Sequence, residues 1–235
     1  MDLLFIVIMG GTFVFSLGVQ QTLKWTFRKW SRVPNSFRAP GSVVARRILD
    51  SNDLKRVPVV QTEGQLSDHY DPRNPTIRLS PQIYEAPSVA SMAVAAHEAG
   101  HALQDADDYG PMEIRTYLVP VASLGARFGI PLAIFGALFG APRLIQIGML
   151  AYVGALVLQF LTLPVEFNAS RRALRQLRRL GLKGEEEAAT KQVLRAAAMT
   201  YVASVASAAG YIVYIAIVGV RGLWARPKPP LPPVM

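Results

Sequence analysis

The chain of 235 residues contains no cysteine, which excludes a disulfide framework, a cysteine-ligated zinc site, an iron–sulfur cluster and a thiol nucleophile. Histidine is nearly as scarce. His69, His97 and His101 are the whole supply, so any imidazole chemistry must use them. Charge is sparse, at 17% of residues, and short of acids: 16 Asp and Glu stand against 25 Lys and Arg, for a formal net charge of +9. In a soluble protein that balance would suggest nucleic acid. Apolar residues, however, make up 51% of the chain and the mean hydropathy is +0.26. The basic excess is therefore read against a lipid bilayer, and nucleic acid is not expected as a partner.

Four stretches are long and apolar enough to cross the roughly 30 Å hydrocarbon core as helices: 3–23, 116–140, 144–165 and 196–220. The second carries one charge, Arg127, which in lipid must face the bundle or mark a bend, and Pro120 and Pro131 flank it. The first has no basic residue ahead of it and reads as a retained anchor rather than a cleaved leader. Twelve basic residues lie between Lys24 and Arg115 and eight between Arg171 and Arg195. Two spans separate these segments, so they share one side, and the positive-inside rule makes it cytoplasmic. The basic residues of the tail, Arg221, Arg226 and Lys228, fall on the other side, against the trend. Small residues in the last span, Ala203, Ser207, Ala208 and Gly210, permit close helix packing within the chain or in a homo-oligomer.

The segment 24–115 is large enough for a small domain. A short amphipathic helix is expected from Gly41, short strands at 57–61 and 76–80 with a loop between them, and a longer helix from Pro87 to about Gln104. The segment 166–195 reads as cytoplasmic helices, with Glu166 opening a new one after Leu163-Pro164-Val165. The proline-rich end, 221–235, reads as a disordered tail. The expected architecture is a mainly α-helical multi-pass membrane protein of about four transmembrane helices with a small α+β domain at the membrane surface.

Within the longer helix stands His97-Glu98-Ala99-Gly100-His101. Residues four apart share a helix face, so both imidazoles can reach one ion, with Glu98 beside them as general base toward a metal-activated water. A catalytic zinc needs a third protein ligand. Asp107 stands where an extended motif would place it, but Gln104 replaces the glycine that would turn the chain back. His69, in Asp68-His69-Tyr70-Asp71-Pro72, suits a substrate or transition-state contact at least as well. Glu166 returns to the same membrane face and is preferred. The stretch 76–80 offers an edge along which a peptide substrate can add as a strand.

Taken together, Asp68-His69-Tyr70-Asp71-Pro72-Arg73, Arg78-Leu79-Ser80, the sequence from Val94 through His97-Glu98-Ala99-Gly100-His101 to Gln104, and Leu163-Pro164-Val165-Glu166-Phe167-Asn168-Ala169-Ser170 resemble the bacterial membrane-bound neutral zinc metallopeptidases, gluzincin-like enzymes. The resemblance implies a zincin-like domain over 24–115, one zinc ion held by His97, His101 and Glu166, Glu98 as catalytic base, and a peptide or protein substrate, membrane proteins included. It also implies the bacterial plasma membrane as location. One residue departs: Asn168 stands where the family usually has Asp, so an amide replaces a charge that would orient a ligand imidazole. The rival reading is a non-catalytic membrane scaffold or chaperone accessory, whose structural zinc would need a fourth protein ligand such as Asp107 or His69.

Overall fold

The computed structural model describes residues 3–224, and the proline-rich tail from 225 onward lies outside the described residues. Seven helices and three strands follow in the order α1 (Leu3–Trp30), α2 (Gly41–Asp50), β1 (Val59–Gln61), β2 (His69–Asp71), β3 (Thr76–Leu79), α3 (Pro81–Glu85), α4 (Val89–Ala106), α5 (Gly110–Leu138), α6 (Pro142–Arg179) and α7 (Gly184–Trp224). Four helices, α1, α5, α6 and α7, are long and apolar enough to cross a membrane. The protein is a mainly helical multi-pass membrane protein with a small α+β part.

The long helices form two hairpin-like pairs, α1 with α7 and α5 with α6. Small residues set both contacts. A Cβ on Gly125 would sit 2.2 Å from the Ala151 carbonyl oxygen, and one on Gly148 would sit 2.4 Å from that of Gly129. Gly125 and Gly129 lie one turn apart, so backbone meets backbone along that face, as in packing driven by dispersion rather than by water exclusion. The small residues of α7 are spent inside the chain. Ala203 and Ala208 are buried, Ser207 shares a hydrogen bond with Ser16 of α1, and Gly210 faces Ile8 and Thr12. Arg127 does not face the bundle: it is exposed on α5, 5.4 Å over the Phe128 ring.

Two expectations about local structure are corrected. Glu166 does not open a new helix, because α6 runs unbroken through Pro164 for 38 residues. Pro164 removes one helical donor, a loss that spanning helices absorb. The region around His69 is not wholly a loop: β2 pairs antiparallel with β3, His69 opposite Arg78, while β1 pairs parallel on the other side, giving the order β1-β3-β2. Both edges of β3 are therefore occupied, so 76–80 cannot accept a substrate strand. The free edges belong to β1 and β2.

At the centre sits α4. Ser88 caps it, its Oγ accepting from the Ser91 N–H, and alanines along its length let neighbours close in. Its side chains share one apolar core with Val44 and Ile48 of α2, Ile77 and Leu79 of β3, Leu177 of α6 and Val193 of α7. Glu185, Glu186 and Glu187 occupy the first turn of α7, where the helix dipole favours acids. Gly181, at φ +107°, makes the turn between α6 and α7 that a residue with a Cβ would strain to make.

Candidate metal centre

One turn of α4 places His97 and His101 on the same face, with ring centroids 4.7 Å apart and planes nearly perpendicular. The continuous α6 brings Glu166 against them. Its Oε2 lies 3.2 Å from His97 Nε2 and 3.6 Å from His101 Nε2, and the carboxylate is buried. Arms of about 2.0–2.1 Å to a tetrahedral zinc would set neighbouring donors about 3.4 Å apart. The spacings on either side of Glu166 Oε2 bracket that value. Among the described residues, this is the one group of three or more His, Asp or Glu side chains close enough to hold a metal ion.

The second nitrogen of each ring is held from behind. Gln104 is fully buried, and its amide nitrogen donates to the Val165 carbonyl at 2.8 Å and to Asn168 Oδ1 at 3.0 Å. Its Oε1 therefore points at His101 Nδ1, 2.9 Å away. An oxygen accepts only, so Nδ1 carries the proton and Nε2 keeps its lone pair toward Glu166. His97 Nδ1 is 3.2 Å from Ser170 Oγ. These partners fix ring orientation and tautomer, as ligating imidazoles require. Asn168 does not touch an imidazole. It acts through Gln104, and its Oδ1 also accepts from Arg172 Nε at 2.7 Å.

Glu166 Oε1 is buried without a hydrogen bond, 3.4 Å from an Arg115 guanidinium nitrogen. A buried carboxylate oxygen is costly unless a cation balances it, which the Arg115 guanidinium does for Oε1, leaving Oε2 to the imidazoles. The donor set of two imidazoles and one carboxylate suits zinc and leaves a position open. Glu98 is 7% exposed and lines the same cavity as His97 and Glu166, about 220 Å³ in volume, with Asp68 and Tyr201. Burial pushes its carboxyl up to about 7, against the pull of His97 and of the nearby Tyr70 backbone N–H of β2. A carboxylate poised there is matched to taking and returning protons near neutral pH.

The other candidate residues lie outside this donor set. Asp107 is exposed and paired with Arg172, because it ends α4 pointing away from the two histidines. His69 is exposed on β2, its Nδ1 2.7 Å from the Ser67 carbonyl oxygen, and it borders a different cavity. Sequence reading missed Gln104 as an orienting group, although it lies three residues from His101 on one helix face. It also missed Arg115, which only the docking of α5 against α6 brings near Glu166.

Gly100, within the motif, faces α6. A Cβ there would lie 2.5 Å from the Ala169 carbonyl oxygen, so Gly100→Ala must push α4 away from α6 at the very turn that joins the ligands. The expected result is a loss of about 1–3 kcal/mol in stability and at least tenfold weaker zinc binding, read by thermal melting and metal titration. Unchanged zinc affinity would show that the interhelical gap does not set the ligand spacing.

Comparison with known proteins gives a family and a relative. A family described as "putative neutral zinc metallopeptidase" matches residues 5–219. The "putative membrane protease YugP" of Bacillus subtilis (strain 168) is 38% identical over 203 residues, covering 86% of this chain and 90% of that protein. No solved structure matches the chain.

Proposed function

Because the chain belongs to this zinc metallopeptidase family, we propose that it is a membrane-bound, zinc-dependent endopeptidase with His97, His101 and Glu166 as metal ligands and Glu98 as general base. The observation that carries the reading is the convergence of His97 Nε2, His101 Nε2 and Glu166 Oε2, the last two residues buried, in a cavity that Glu98 also lines. A zinc ion held there supplies a Lewis acid that acidifies water and polarises a carbonyl. Glu98 takes the proton of the attacking water and returns it to the leaving amine. Gln104 and Ser170 hold the imidazoles in register while that proton moves. The outer edge of β2, whose Tyr70 N–H reaches Glu98, is where an extended peptide adds as a strand, and main-chain hydrogen bonds give affinity with little sequence preference.

A scaffold with a closed zinc site would need a fourth protein ligand. Asp107 is engaged by Arg172, and neither it nor His69 belongs to the convergent donor group. The test is metal removal. Chelation should abolish peptide hydrolysis in purified protein, and about one equivalent of zinc per chain should restore it; hydrolysis that survives complete metal loss would reject the reading.

The proposal puts the site on the cytoplasmic face of a bacterial plasma membrane, a side that the positive-inside rule applied to the two basic segments supports. Since the chain has no cysteine of its own, one introduced at exposed Gln65 reports that side alone. Gln65→Cys is expected to resist impermeant thiol reagents in intact cells and to react after lysis. Labelling in intact cells would reverse the orientation.

A further inference from the structure

We propose, resting on the peptidase reading, that the site takes its substrate from the bilayer: an extended segment directly adjoining a membrane span, seated along β2 and in a groove beside α5. The groove is a cavity of about 610 Å³ between Tyr70, Pro72 and Arg73 on one side and Arg115, Val119 and Leu124 of α5 on the other. From Arg115 to Leu124 it follows α5 for about 14 Å at 1.5 Å per residue. All but its first turn lies in the apolar stretch that crosses the membrane. Leu124 and Val119 are exposed on its wall.

Two contacts join this groove to the metal centre. Arg115 lines it and lies 3.4 Å from Glu166 Oε1, and Tyr70 lines it while its N–H reaches Glu98. A chain paired to the outer edge of β2 therefore passes the general base and continues down α5 to lipid depth. A soluble peptide has no use for an apolar channel that deepens into lipid, whereas a chain leaving a span must cross that depth.

The test uses zinc-loaded full-length protein in phosphatidylcholine vesicles, with one cleavable extended segment presented three ways: free, joined to a single apolar span by a two-residue spacer, or joined by a 25-residue spacer. The short-spacer form is expected to show at least tenfold higher kcat/KM than either other form. Ser123→Trp, which fills the groove, is expected to lower kcat/KM for the short-spacer form at least tenfold more than for the free segment. Equal rates for all three forms, or a short-spacer advantage that survives Ser123→Trp, would overturn the proposal and leave the peptidase reading standing. If no form is cut, the peptidase reading fails. Photo-crosslinking of the short-spacer form then decides the groove: capture at position 123 but not at exposed Val121 sustains it, and capture at neither, as with a lipid-filled groove, overturns it.

Discussion

Glu98→Gln is expected to bind zinc as the wild type does and to hydrolyse peptides about a thousandfold more slowly or worse. The side chain lines the cavity beside His97 and Glu166 without belonging to the convergent donor set, so the amide leaves the ligands in place. What it loses is the capacity to accept a proton, which is worth about 10²–10⁴ in rate. A stability measurement separates this from misfolding. Burial raises the Glu98 carboxyl to about 7 in the folded protein, from an ordinary 4.5. A folded-state pKa raised in an acid means the native state holds the extra proton between those values, so metal-free protein loses stability as pH rises from 4.5 to 7. The neutral amide removes that penalty. Metal-free Glu98→Gln should melt higher than metal-free wild type at pH 8, with zinc content per chain unchanged. Wild-type turnover in the variant would remove Glu98 from the chemistry.

Glu166→Ala is expected to lose zinc, with affinity falling by more than the roughly 100-fold that loss of an orienting partner costs. Two effects add. The donor set drops to two imidazoles, and Arg115 loses the carboxylate beside it, leaving a partly buried cation without its counter-charge. Asp107→Ala is the contrasting variant. Its carboxylate is exposed and tied to Arg172, so zinc content should stay near one per chain. Equilibrium dialysis with metal analysis checks both. Full occupancy in Glu166→Ala, or loss in Asp107→Ala, would move the third ligand.

The four spans and the imidazole pair were legible because each is a local pattern: apolar length in one case, a separation of four residues in the other. Glu166 was legible by a longer route, since counting spans returned it to the face that carries His97 and His101. Its setting was not. Pro164 beside a charged residue reads as a helix boundary, and only packing on both sides of α6 carries the helix through. β2 is three residues long, too short for an alternation to register, and its pairing with β3 depends on partners outside any local window. For the same reason 76–80 reads as an edge when it is the middle strand. Gln104 reads as a failed glycine in a longer zinc motif, whereas its buried amide has its own task, relaying Asn168 to His101.

The continuity of α6 has one more consequence. The two imidazoles belong to α4, which has no membrane span of its own, whereas the carboxylate rides on a helix whose apolar half must match the lipid around it. Spanning helices answer a thinner or thicker bilayer by changing tilt, and a helix unbroken at Pro164 passes that tilt to Glu166 instead of losing it at a hinge. Zinc affinity is therefore expected to differ between vesicles of short-chain and long-chain lipid, and an affinity independent of chain length would show that α4 moves with α6 as one body.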